Sequence, residues 1–168
     1  MREWIKKKGW GLLRDLAFLA IVFAAVMAWQ TRKLHGAGTP APRLSLPTLD
    51  GGAISLQEQG GKKVVVAFWA PWCGVCKAEV GNLNALAEDA GDDLQVLTVA
   101  LSYEDLDSVK RFVEEQGLRA PVLLGDSSVA RDWNVDVFPT LYVIDEEGRV
   151  EHTMVGYTTE LGLRLRLL

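Results

Sequence analysis

Soft metal ligands are scarce in this chain of 168 residues. There are two cysteines, Cys73 and Cys76, and two histidines, His35 and His152. A structural zinc site needs four such ligands in paired spacing. His35 falls in a Gly/Pro-rich stretch and His152 lies far along the chain, so no second pair exists and a zinc ribbon is excluded. No P-loop, GxGxxG or HExxH pattern occurs, and there is no internal repeat. The net charge of −4 conceals an asymmetry. Residues 1–36 hold seven Lys/Arg and two Asp/Glu, net +5, and the remainder holds 11 and 20, net −9. An acidic globular part argues against nucleic acid as a partner.

What is present centres on Phe68-Trp69-Ala70-Pro71-Trp72-Cys73-Gly74-Val75-Cys76-Lys77. The apolar run 64–69 leads into it as a buried strand. Cys76, Val80, Leu83 and Ala87 follow at one-face helical spacing. The pair therefore stands where a strand becomes a helix. Cys73 falls at the helix N-terminus, where unpaired N–H groups and the helix dipole stabilise an anion. A thiolate there is reactive near neutral pH. Cys76 lies one turn further in, close enough to close a small disulfide ring with Cys73. A redox dithiol fits this context better than two unrelated buried cysteines.

The N-terminal segment reads as a membrane element. Residues 1–9 are basic, and the 14 residues from Leu16 to Trp29 carry no charge. With Trp10 to Leu13 added, and Arg14 snorkelling, the apolar stretch reaches about 20 residues, enough for roughly 30 Å of helix. Arg2, Lys6, Lys7, Lys8 and Arg14 precede its core, and only Arg32 and Lys33 follow closely. The positive-inside bias puts the N-terminus in the cytoplasm and the rest outside it. A cleaved signal peptide is the competing reading, with Val26-Met27-Ala28 as a small-x-small site. An uncleaved anchor is preferred, because Trp10 and Trp29 suit the two interfaces and Met-Ala-Trp is a poor cleavage context. The expected organisation is a basic cytoplasmic terminus at 1–9, a transmembrane anchor at 10–29, a linker at 30–43 that lifts the domain off the membrane, and one domain at 44–168.

Within the domain, 44–46 and 53–56 flank the Asp50-Gly51-Gly52 turn as a hairpin. Strand 64–69 and a helix from Cys73 to about Ala90 follow. Next come a strand at 94–101, a helix at 105–116 with Leu106, Val109 and Val113 on one face, and an extended segment at 121–124. A short helix at 127–133, strands at 140–145 and 149–155, and a leucine-rich end complete the chain. Residues 159–168 fit both a strand and a helix by periodicity. The β-α-β-α then β-β order implies an α/β fold, a mixed central sheet with helices on both faces.

Trp-Cys-x-x-Cys-Lys after an apolar strand resembles the thioredoxin fold. The stretch Lys62 to Glu79, with a hairpin ahead of it and an N-terminal anchor, is more similar to the membrane-tethered TlpA/ResA/CcmG (DsbE) branch. Phe138-Pro139-Thr140 before Leu141-Tyr142-Val143-Ile144-Asp145-x-x-Gly148 matches that branch's cis-proline strand and hairpin. The resemblance covers about residues 44–168. It implies a helix at 159–168 and protein thiol–disulfide exchange outside the cytoplasm. Three features depart from the pattern: Gly74-Val75 between the cysteines, Phe138 before the proline where a smaller residue is usual, and Gly81 where many members carry proline. The CGVC sequence also resembles periplasmic members linked to copper tolerance.

Roles follow for individual residues. Cys73, the more N-terminal and more exposed thiol, is the expected nucleophile, and Cys76 resolves its mixed disulfide. Trp69 reads as core, and Trp72 as a platform facing the substrate. The resemblance places a buried acid of thioredoxin at Ala67 here, and gives Glu79 the task of moving protons for the dithiol. A carboxyl desolvated beside a thiol has a raised pKa and can take the proton of Cys76. The match to the family makes Pro139 the cis-proline, leaving the backbone of Phe138 free to pair with an incoming peptide. His35 and His152 read as solvated. No cofactor or metal is expected beyond the redox-active Cys73–Cys76 disulfide. The expected partners are protein disulfides or dithiols and a membrane redox partner, and the expected direction is reductive. A disulfide oxidase or isomerase, or a copper(I)-binding module using two thiolates, are the competing functions. A peroxidase would need the PxxxTxxC pattern, which is lacking.

Overall fold

The computed structural model describes residues 34–168 and, before them, 15, 17–22 and 25–26, which are helical. Most of the anchor expected at 10–29 lies outside the described residues. Among those described, no helix is long and apolar enough to cross a membrane. The unit from His35 to Leu168 is described below.

A short antiparallel hairpin comes first, β1 (Ser45–Pro47) and β2 (Ala53–Ser55), with Ser45 opposite Ser55. Gly51 occupies φ +92 in its turn, a conformation that glycine adopts without a Cβ penalty. A 3-10 turn, Leu56–Gln59, leads to β3 (Lys63–Trp69), α1 (Gly74–Glu88), β4 (Leu94–Ala100) and α2 (Leu106–Gln116). Then follow β5 (Val122–Leu124), α3 (Ser127–Asp132), β6 (Thr140–Ile144), β7 (Val150–Val155) and α4 (Glu160–Arg164). The five-stranded sheet has the order β5-β4-β3-β6-β7. β3 runs parallel to β4 and antiparallel to β6, so the sheet is mixed as expected.

β3 is central, and its apolar run is buried on both faces, the pattern of a strand covered on each side. Alternation sends Val65, Ala67 and Trp69 to one layer, with Val80, Leu83 and Leu86 of α1, Val109 and Phe112 of α2, and Leu163 of α4. Trp69 stacks on Phe112 with ring centroids 4.1 Å apart. Phe68 belongs to the other layer, where it meets Trp133 and Tyr142 at 5.2 and 6.1 Å.

Three expectations are corrected. The last helix covers only Glu160–Arg164, capped by the Thr159 hydroxyl, rather than 159–168. The residue it buries is Leu163, while Leu161 and Leu165 stay exposed, because a helix this short turns a single position onto the sheet. On α2 the inward face is Val109 and Phe112, and Leu106 is exposed. The C-terminal part of the supposed linker is docked on the domain. Gly38 and Ala41 donate to the Val150 and Gly148 carbonyls at 2.7 and 2.9 Å, and Val150 donates to the Thr39 carbonyl at 2.8 Å. These bonds satisfy backbone groups that an edge strand would otherwise present to solvent.

Candidate active site

Cys73 follows β3 after a tight turn, Ala70-Pro71-Trp72, in which the Cys73 N–H donates to the Ala70 carbonyl at 3.0 Å. It is the N-cap of α1, and its Sγ accepts from the Cys76 N–H at 3.1 Å. The two cysteines form a disulfide with a Cα–Cα distance of 5.3 Å. Sulfur therefore occupies the position where a helix usually places a capping oxygen. When the bridge opens, charge on Cys73 Sγ meets the free N–H groups and the positive end of the dipole of a four-turn helix.

Cys73 is less open than the sequence suggested. It is 6% exposed and Cys76 2%. The reason is local packing, since Cys73 joins Trp69 and Ala70 in the core cluster and Phe138 packs against it. The exposed parts of the motif are Gly74, Val75 and Trp72. Trp72, 67% exposed, is nonetheless held at two points. Its indole N–H donates to the Ser102 carbonyl at 2.9 Å, and its ring meets the ring of Phe138 edge-on at 5.7 Å. The Phe138–Pro139 peptide bond is cis. A groove of about 320 Å³ opens beside Trp72, bordered by Lys77, Tyr103, Arg111 and Glu115.

Glu79 lies on the inner face of α1, one turn beyond Cys76, and is 1% exposed. Its Oε2 accepts from the Thr158 N–H at 2.9 Å, and its Oε1 is buried without a hydrogen-bond partner. Burial pushes its pKa up from 4.5 to about 7, and the Thr158 N–H opposes the rise only in part. Cys76, Glu79 and Pro139 border one cavity of about 10 Å³, together with Ala67. All six residues singled out from the sequence thus gather at the junction of β3, α1 and β6. Sequence reasoning missed Ser102 and Thr158, backbone partners from distant loops that leave no residue-type signal. It also took His35 as solvated, whereas His35 is half-buried and hydrogen-bonded.

A helix-capping disulfide at the end of a central parallel strand, beside a cis-proline and a buried carboxyl, defines a thiol–disulfide oxidoreductase of the thioredoxin fold. Residues 37–153 match the AhpC/TSA family, and the chain belongs to that family. It is 34% identical to the thioredoxin-like protein YneN of Bacillus subtilis over 77% of this chain and 78% of that protein. It is 30% identical to the thiol-disulfide oxidoreductase ResA of Geobacillus kaustophilus over 96% of this chain and 97% of that one. Among solved structures, a thiol:disulfide interchange protein DsbE of Chlorobium tepidum superimposes with a TM-score of 0.73 at 25% identity, covering 79% of this chain and 95% of that one.

Proposed function

We propose that this protein is a membrane-tethered reductase of disulfides in extracytoplasmic proteins, with the Cys73–Cys76 pair as its only redox group. The observation that carries the reading is the placement of Cys73 Sγ at the N-cap of α1, where a thiolate is stabilised while Cys76 stays inside the helix. In the reduced protein, the Cys73 thiolate attacks one sulfur of a substrate disulfide. That S–S bond breaks, the other substrate sulfur leaves as a thiolate, and a mixed disulfide forms. Cys76 then gives up its proton and attacks Cys73 Sγ, which releases the second substrate sulfur. Two electrons have passed to the substrate, and the Cys73–Cys76 disulfide has re-formed. A membrane redox partner returns it to the dithiol.

Glu79 is the acceptor for the Cys76 proton. A carboxyl with a pKa of about 7 is half ionised at neutral pH and can both take and return a proton. Trp72, Phe138 and Pro139 form the surface on which the substrate chain lies. The packing of Phe138 against the core cluster that holds Cys73 supports that role.

The tether reading rests on the basic residues ahead of the apolar stretch. Exposed Phe18, Leu19 and Ile21 in the helical residues there agree with it. In this reading residues 1–9 are cytoplasmic, 10–29 span the membrane, and the folded domain stands on the periplasmic or equivalent side.

Trapping tests the central role. A Cys76→Ser chain should accumulate protein partners joined through Cys73, and Cys73→Ser should accumulate none. Equal trapping by the two variants would reverse the assignment.

A further inference from the structure

His35 holds the loop that delivers Phe138 and Pro139 to the disulfide. The segment between α3 and β6, residues 133–139, has no regular structure, so its shape depends on what it bonds to. His35 reaches it from the far end of the sequence. Its Nε2 lies 2.8 Å from the Asp132 carbonyl and 3.2 Å from the side-chain amide of Asn134. A carbonyl oxygen can only accept, so Nε2 carries the proton and donates it to Asp132, while the amide nitrogen of Asn134 lies beside the ring. Asn134 sits at φ +52. That left-handed conformation disfavours every residue but glycine, asparagine being among the more tolerant, and it turns the chain out of α3 toward Phe138.

His35 is itself fixed. Its carbonyl accepts from the Thr153 hydroxyl of β7 at 3.1 Å. Its ring lies 6.3 Å from that of Tyr142, and its backbone N–H faces the Tyr142 hydroxyl. Tyr142 in turn donates to the Trp133 carbonyl at 2.6 Å. Trp133, Asn134 and Asp132 are therefore all in contact with one histidine and one tyrosine, four to six residues before Phe138. Beyond them, the Thr140 hydroxyl binds the Val137 carbonyl at 2.7 Å, and Phe138 meets Trp72.

We infer that His35 is a positioning residue for protein substrates: by clamping Asp132 and Asn134 it sets the loop that carries Phe138 and Pro139 against Trp72 and Cys73. It touches neither the disulfide nor the substrate. The inference rests on the reading of Phe138 and Pro139 as the substrate surface. Its consequence is selective, because a small disulfide needs only access to sulfur, whereas a polypeptide needs the surface in register.

The experiment uses the full chain in detergent, kept reduced by excess dithiothreitol with the uncatalysed rate subtracted, with insulin as the protein disulfide and hydroxyethyl disulfide as the small one. His35→Ala should raise KM for insulin about threefold or more, the scale of one lost hydrogen bond. Its kcat, and its rate with hydroxyethyl disulfide, should stay at the wild-type level. His35→Gln, whose amide N–H can still reach the Asp132 carbonyl, should restore most of KM. An unchanged KM in His35→Ala, or equal losses toward both disulfides with no rescue by glutamine, overturns the inference. Phe138→Ala run in parallel separates the two levels. If it raises KM for insulin while His35→Ala does not, the clamp fails and the substrate surface stands. If it leaves KM unchanged, the surface reading fails, and the clamp with it.

Discussion

The indole N–H of Trp72 donates to the Ser102 carbonyl at 2.9 Å, so the exposed ring beside the disulfide is fastened to the loop that follows β4. Ser102 sits at φ +50, where an L-residue is disfavoured by roughly 1–2 kcal/mol. The bond holds that loop and the ring together. Trp72→Phe keeps an aromatic face for Phe138 and removes the donor. It should lower unfolding stability by about 0.5–1.5 kcal/mol and slow exchange with insulin more than exchange with hydroxyethyl disulfide. Denaturant melts and paired rate measurements check both parts. Equal rates for insulin in the two proteins would make the ring a passive cover.

Glu79 supplies a pH dependence whose sign is fixed by its burial. Its folded pKa, about 7, lies above the ordinary carboxyl value of 4.5. The unfolded chain therefore releases this proton first as pH rises. Stability is full below about pH 4.5 and is lost progressively up to about pH 7, by about 3 kcal/mol at most. Urea melts of the oxidised protein should show that loss, and Glu79→Gln should be flat across the window. The same variant should exchange more slowly near pH 7, where the wild-type carboxylate can take the Cys76 proton. The gap should close toward pH 9, where an ordinary thiol ionises unaided. Superimposable rate profiles from pH 6 to 9 would leave Glu79 a purely structural group.

The direction of electron flow is open to a direct measurement. Cys73 has the helix N-terminus to stabilise its thiolate, but Gly74-Val75 puts no charged side chain or histidine between the cysteines. Strong thiolate stabilisation makes an oxidant such as DsbA, at about −120 mV, whereas thioredoxin lies near −270 mV. A potential below about −200 mV is expected here. Equilibration in glutathione buffers, followed by tryptophan fluorescence, gives the value. One above about −150 mV would favour oxidase or isomerase chemistry.

The proposed membrane attachment predicts an intact N-terminus. Protein extracted from membranes should have the mass of the full chain. A mature form beginning near Trp29 would identify an exported, untethered enzyme.

The strand–disulfide–helix unit was legible because each of its signals is local. The buried run 64–69, the two cysteines and the apolar spacing of α1 lie within about 25 consecutive residues, and β3 and α1 form there within two residues of expectation. Contacts across the sequence were not legible. The Thr158 N–H that binds Glu79 comes from 79 residues away, and any residue except proline could donate it. The helix expected at 159–168 ends early because leucine spacing records amphipathicity and not length, and Leu163 rather than Leu161 found the core. Residues 35–41 looked like free linker because Gly, Ala, Thr and Pro suit a tether. The same small residues also let a backbone lie flat against a strand.

The strap at the start of β7 has a consequence for crowded copies of the chain. Sheet edges are where neighbouring copies zip together. Gly38 and Thr39 bond to Val150, the first residue of β7, and Ala41 to Gly148 just ahead of it, at one margin, and Leu49 donates to the carbonyl of Val122, the first residue of β5, at the other. Each molecule thus brings the start of its own selvedge, a border tied down where β7 and β5 begin, and crowded neighbours find those threads already taken.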